Sequence, residues 1–192
     1  MNDIYTVKNY SYELNPEMLK MISEQFDVDK ITSRFAEAIK GKSSSDIEAV
    51  GKELFEEYGR EWMKMSHKLG DEYPDRTYEV LLESVDKTHG HLKFALVPQR
   101  FIEIAYLSTQ DLSILPIVEN NYNRLIYRLV DCKTFKMIKE KCGDEVANML
   151  TCKNACLSAC KTIHQDLDID ALISQTATIP ENGYCQFEAK RA

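Results

Sequence analysis

SSDIEAVGKELFEEYGREWMKMSHKLG, residues 44–70, carries the strongest periodic pattern of the chain. Ile47, Val50, Leu54, Tyr58, Trp62, Met65 and Leu69 recur at spacings of three and four, the pattern of a helix that buries one stripe. The break Gly41-Lys42-Ser43-Ser44-Ser45 supplies its cap, and Gly70 predicts its stop. Glu53, Glu56, Glu57 and Glu61 read as a solvated face. A stripe of this length needs a second layer to cover it, and the remaining chain must provide that layer.

Upstream, Asn15-Pro16 reads as N-cap and first helical residue of a helix through about Phe26, with Leu19, Ile22 and Phe26 on one face. A short helix follows over Asp29 to Lys40. Downstream, the turn Glu72-Tyr73-Pro74-Asp75 leads into a helix over Arg76 to Val85, closed by His89-Gly90. Leu92 to Val97, Phe101 to Leu107 and Arg124 to Val130 then read as strands of one sheet. Helices are predicted again over Thr134 to Lys141 and, unbroken, over Asp144 to about Gln165. Ala171 to Ile179 and Tyr184 to Lys190 flank Pro180-Glu181-Asn182-Gly183, and Asn-Gly between β-like runs signals a hairpin. The expected fold is α+β: an antiparallel sheet packed with helices and ending in a β-hairpin. Residues 1–44 form an N-terminal helical extension packed on a ligand-binding-like domain over 45–192.

A chain of 192 residues can bury roughly 70% of the surface its unfolded form exposes. With 44% hydrophobic and 29% charged residues it has a globular composition. Its 31 acidic against 24 basic residues leave no basic footprint, so nucleic acid is not an expected partner. No apolar run approaches the roughly 18 residues that span a bilayer, so no membrane partner is expected. Met1-Asn2-Asp3-Ile4-Tyr5 lacks the segments of a secretory signal, and the expected location is the cytoplasm. There, six cysteines are read as free thiols, metal ligands or a redox site, not as a disulfide framework.

Gly41-Lys42-Ser43 suggests a phosphate loop, but Ala36 stands where that motif needs glycine. No His-Glu-x-x-His, Gly-x-Ser-x-Gly or Cys-x-x-Cys occurs. The positive signal is Cys152, Cys156, Cys160 and His164, four apart on a predicted helix and therefore nearly above one another. The ladder is roughly 18 Å long by helix rise, too long for one tetrahedral ion. A metal such as zinc or iron therefore needs thiols from elsewhere: Cys132, Cys142 or Cys185, with Cys132, Cys152, Cys156 and Cys185 the candidate set. Packing is the competing reading, since cysteine behaves as a small hydrophobe and Ala155, Leu157, Ala159 and Ile163 indicate a closely packed helix. A catalytic reading takes Cys152 and Cys156 as nucleophile and His164 as base, activated by Lys153 or Lys161. Tyr58, Trp62 and Met65 either line an apolar ligand cavity or form a plain core stripe. His89 and His91 flank a glycine at a strand start, a place where function sometimes sits.

Glu57-Tyr58-Gly59-Arg60-Glu61-Trp62, with the ending Thr178-Ile179-Pro180-Glu181-Asn182-Gly183-Tyr184-Cys185-Gln186-Phe187, resembles the superfamily of 4-vinyl reductase domains. The order Val130-Asp131-Cys132, Gly143, Cys152 and Cys185 resembles the L-2-amino-thiazoline-4-carboxylate hydrolase family. The likeness covers residues 124 to 190 best and 45 to 190 loosely. It implies an interior pocket for small apolar or heterocyclic ligands. Phenol-sensing regulators with a similar domain hold zinc through three cysteines and a glutamate; Cys152 and Cys185 match the outer two by position, while Ser174 and Ala177 stand at the middle ones. Cys132-Lys133 also lacks the proline associated with the hydrolase family.

Three functions are therefore expected in competition. The first is a small-molecule-binding protein with a cysteine-rich C-terminal site that also suits a metal; the second is a hydrolase opening a thiazoline-like C–N bond; the third is a cysteine-based redox or metal sensor. An exposed sheet edge is compatible with a homodimer.

Overall fold

A computed structural model describes residues 11–87 and 96–192. Its elements run, in chain order, α1 (Pro16–Gln25), α2 (Val28–Ala38), α3 (Ser44–Glu72), α4 (Thr77–Lys87), α5 (Leu96–Thr109), β1 (Ile117–Asn120), β2 (Arg124–Leu129), α6 (Lys133–Cys142), α7 (Asp144–Asn148), α8 (Lys153–Asp166), β3 (Ala171–Ala177), α9 (Ile179–Asn182) and β4 (Cys185–Arg191). The fold is α+β, and its four strands pair antiparallel in the order β1-β2-β4-β3.

The early helices start where short polar side chains can satisfy free backbone N–H groups. Asn15 accepts from the Glu17 and Met18 N–H groups at 2.9 and 3.3 Å, Asp27 accepts from Asp29 at 2.8 Å, and Ser43 accepts from Asp46 at 3.4 Å. Gly70 does not stop α3. It lies inside the helix, where a Cβ would stand 2.8 Å from the Phe101 ring, so its smallness serves packing against α5.

The sheet buries one face. Leu125, Tyr127 and Leu129 of β2 and Cys185, Phe187 and Ala189 of β4 join Trp62, Met63 and Leu69 of α3, Phe101, Ile104 and Tyr106 of α5, and Ala159, Cys160 and Ile163 of α8 in one core. The opposite face is polar, with Arg128 donating to Gln186 at 2.7 Å and Arg124 to Glu119 at 2.8 Å. Met18, Ile22 and Phe26 of the α1 region enter the same core. Ile31, Phe35 and Ile39 of the α2 region instead form a second core with Leu54, Phe55, Ile138 and Cys152. Helices α3 and α8 approach closely at Gly59, where a Cβ would sit 2.1 Å from the Ala155 carbonyl oxygen, and Gly51 packs against the segment before α8, where a Cβ would meet Thr151 at 2.5 Å.

Three local expectations are corrected. Phe101 to Leu107 is helical, not a strand: α5 is buried on nearly all sides from Leu96 to Tyr106, so its apolar run carries no periodicity that separates helix from strand. Of the expected strand Leu92 to Val97, Leu96 and Val97 begin α5, and the remainder lies outside the described residues, as do His89, Gly90 and His91. The sheet takes Ile117–Asn120 instead.

The helix expected over Asp144 to Gln165 is broken after Asn148, where Leu150 adopts φ +54°. Cys152 thus becomes the cap residue of α8 and not a mid-helix one. The hairpin of β3 and β4 forms, but its connection is the single turn α9 ended by Gly183 at φ +77°. Among the described residues no helix is long and apolar enough to cross a membrane.

Candidate functional site

Four cysteines from three elements meet on one cavity. Cys132 comes from the cap of α6, Cys152 from the cap of α8, Cys156 from the first turns of α8, and Cys185 from the start of β4; Tyr58 and Trp62 of α3, Tyr106 and Gln110 at the end of α5, Leu129, Phe135 and Phe187 complete most of the wall. Strand pairing sets Cys185 opposite Leu129. The break after Asn148 turns Cys152 and Cys156 toward the sheet end. The cavity measures about 30 Å³, room for one or two waters.

The candidate ligand residues divide. Tyr58 and Trp62 line the cavity, whereas Met65 packs half-buried against the main core. A row of aromatic rings runs beside it: Phe26 to Tyr58 at 5.6 Å, Tyr58 to Trp62 at 5.9 Å, Trp62 to Tyr106 at 5.1 Å, Tyr106 to Tyr127 at 5.6 Å and Tyr127 to Phe187 at 5.5 Å. Gln110 is fully engaged, donating to the Thr134 hydroxyl at 3.2 Å and accepting from the Lys133 N–H at 2.9 Å. On the wall, Trp62 Nε1 is buried and makes no hydrogen bond, while the buried Tyr106 hydroxyl faces the Cys156 thiol and the hydroxyl of Tyr127 behind the wall. An unpaired buried donor of this kind costs roughly 1–3 kcal/mol, so such groups on a cavity wall point to a missing acceptor.

The cysteine ladder splits along its length. Cys160 faces Tyr127 and is absent from the cavity wall, and the His164 ring is held at Nδ1 against the Cys160 carbonyl at 2.8 Å. By helix rise His164 is roughly 12 Å along the axis from Cys156 and farther from Cys152. The three candidate catalytic residues are thus not brought together.

Burial pushes the cavity thiols up: Cys132 to about 11, Cys152 and Cys156 well above the ordinary cysteine value, and Cys185 upward. Cys160 rises to about 12 for the same reason. For Cys152 a hydrogen bond from its own backbone N–H pulls the other way, and desolvation wins. These are neutral thiols at pH 7, not thiolate nucleophiles.

The donor type suits zinc or iron, but the placement does not. All six cysteines are free thiols, and among the described residues no three histidine, cysteine, aspartate or glutamate side chains are grouped to hold one ion.

These shifts fix a pH profile. The unfolded chain ionises its thiols near pH 8.5 while the folded chain resists until about 11 or 12, so the stability they contribute is whole below pH 8.5 and is lost as pH rises past it. On the acid side, burial lowers His164, so its contribution is whole above about pH 6.5 and falls as the unfolded chain protonates below that. Thermal melts across pH 5 to 10.5 are expected to show a plateau between about pH 6.5 and 8.5 with a fall on either side.

Tyr106, Gln110, Phe135 and Phe187 were not found as site residues from sequence. The signal for Tyr106 was Pro98, which suits a first helical turn and not a central strand, and so marks the run up to Tyr106 as helix. Compared with protein-family models, curated proteins and solved structures, the chain matches none.

Proposed function

We propose that this protein binds a small molecule whose buried end is apolar and carries a hydrogen-bond acceptor, held among Trp62, Tyr106 and the thiols of Cys132, Cys152, Cys156 and Cys185. The observation that carries the reading is the cavity wall itself: an indole N–H without a partner, a phenol O–H whose neighbours are the Cys156 thiol and the Tyr127 hydroxyl, neutral thiols around them, and mostly apolar surface with Gln110, Thr134 and Lys153 at its edge. The indole N–H can only donate, so a guest with an acceptor satisfies it. The resemblance to domains with pockets for apolar or heterocyclic ligands points the same way.

Ring opening by Cys152, Cys156 and His164 has less support, because the thiols are neutral and the imidazole is turned to its own helix. A sensor reading is favoured by the four-thiol lining alone.

Trp62 is the single tryptophan, so its emission reports directly on the cavity. Benzene and pyridine have one shape and differ by a ring acceptor; each is larger than the space for one or two waters, so either binds only as a ring of the wall moves aside. Pyridine is expected to give a saturable change in emission, roughly 2- to 10-fold tighter than benzene, the worth of one net hydrogen bond. Tyr106→Phe is expected to narrow that gap. No change in emission or melting temperature with either compound would sink the reading, and equal affinities would remove the acceptor. About one zinc or iron per purified chain, lost in Cys156→Ser, would replace it with the sensor.

A further inference from the structure

Against the outer side of the thiol cavity lies a groove of about 280 Å³, walled by Phe26, Ile31 and Leu54 and rimmed by Lys30, Arg34 and Glu57. Tyr58 belongs to the walls of both. Its half-buried side chain is fixed by one hydrogen bond, from its hydroxyl to the Phe26 carbonyl at 2.8 Å, and by ring contacts with Phe26 and Trp62. The inner cavity of about 30 Å³ is far below the roughly 300–1,000 Å³ of ordinary ligand sites, and the groove alone falls just short of that range. Joined, they reach its lower end.

We propose that the cavity and the groove are one binding site and that Tyr58 is the door between them. The ligand class that follows is an elongated amphiphile. Its small acceptor-bearing head lies among the thiols, its apolar body replaces the Tyr58 ring between Phe26 and Trp62, and a polar end reaches the Lys30, Arg34 and Glu57 rim. This extends the ligand-binding reading above and rests on it for the identity of the guest. The door itself can be tested without any ligand.

The hinge needs a χ1 rotation of Tyr58 with the loss of one hydrogen bond and of its ring contacts with Phe26 and Trp62. Opening exposes Cys132, Cys152 and Cys185 and widens access to the partly exposed Cys156, but leaves unchanged Cys160, which lies off the cavity, and Cys142, which is half-exposed on α6 in either state.

Iodoacetamide labelling of the intact protein, followed residue by residue by mass spectrometry, reads this opening. Tyr58→Phe keeps the ring and removes the bond, and is expected to raise the labelling rates of the four cavity cysteines roughly 2- to 10-fold. Cys142 and Cys160 are expected to keep their rates. Tyr58→Ala is expected to go further in the same direction. Unchanged cavity rates in Tyr58→Phe overturn the proposal, as does a parallel rise at Cys160, which would mean that the whole core loosens. A rise in Phe135→Ala without one in Tyr58→Phe also overturns it, because entry would then lie on the α6 side. Failure here with pyridine still bound would remove the door and leave the ligand reading standing.

Discussion

Gly59→Ala is expected to lower stability by about 3 kcal/mol or more, beyond the usual range for an added methyl group, because the obstacle is backbone. The new Cβ would lie 2.1 Å from the Ala155 carbonyl oxygen and 2.7 Å from its Cα, so α3 and α8 must move apart by more than an ångström. The roughly 1 kcal/mol that alanine gains over glycine in helix propensity is too small to offset that. Gly51→Ala meets only the Thr151 side chain, at 2.5 Å, and is expected to cost less. In thermal melts a chain of this size loses roughly 2–4 °C per kcal/mol, so Gly59→Ala should melt about 6–12 °C lower. A shift of under 2 °C would mean that the helix pair is not packed as closely as described. The same variant bears on the site, since Cys152 and Cys156 share α8 with Ala155 and lose their place when the helix moves.

Asp75→Ala is expected to have an effect of similar size by a different route. Asp75 and Arg100 form an ion pair at 2.8 Å with side chains only 2% and 5% exposed, and Arg100 also donates to the Gly70 carbonyl at 2.7 Å. Removing the carboxylate leaves a buried guanidinium without a countercharge, a loss of roughly 3–5 kcal/mol. It also removes the acceptor of the Thr77 N–H at 2.8 Å, which starts α4. Chemical denaturation should therefore show a large drop for Asp75→Ala and a substantial recovery in Asp75→Ala/Arg100→Met, where no charge is left buried. If the double variant is as unstable as the single one, the cost lies in the cap and not in the orphaned charge. Arg76 provides the contrast: its partners Glu13, Glu79 and Glu83 are exposed, and Arg76→Ala is expected to leave the melting temperature nearly unchanged.

Much of the secondary structure was legible because it rests on local chemistry. Asn15 and Ser43 mark helix starts through side-chain oxygens that any chain can read, and the Ile47-to-Leu69 stripe declares a helix by its period. The C-terminal hairpin announced itself through Asn182-Gly183, although the turn proved to be helical and the glycine its left-handed end. The stretch Phe101 to Leu107 reads as a strand and is a helix for a physical reason. A helix buried all round has no polar face, and without one the period vanishes. The break after Asn148 was hidden as well, since Leu150 at positive φ is a conformation that tertiary packing imposes on an unsuited residue.

For the site, local spacing already names the groups: an aromatic stripe at Tyr58 and Trp62, a thiol ladder on one helix, and thiols at Cys132 and Cys185 placed near strand ends. It also makes the ladder too long to act as a unit, because helix rise is a constant. Which rungs matter depends on packing. Cys152 and Cys156 join Cys132 and Cys185 on one cavity, while Cys160 turns to Tyr127 and His164 to its own backbone. Tyr106 arrives from a helix with no sequence link to any of them. Cavity walls are assembled from residues far apart in the chain, and the burial that keeps these thiols neutral is a property of the surrounding layers, which no local spacing encodes.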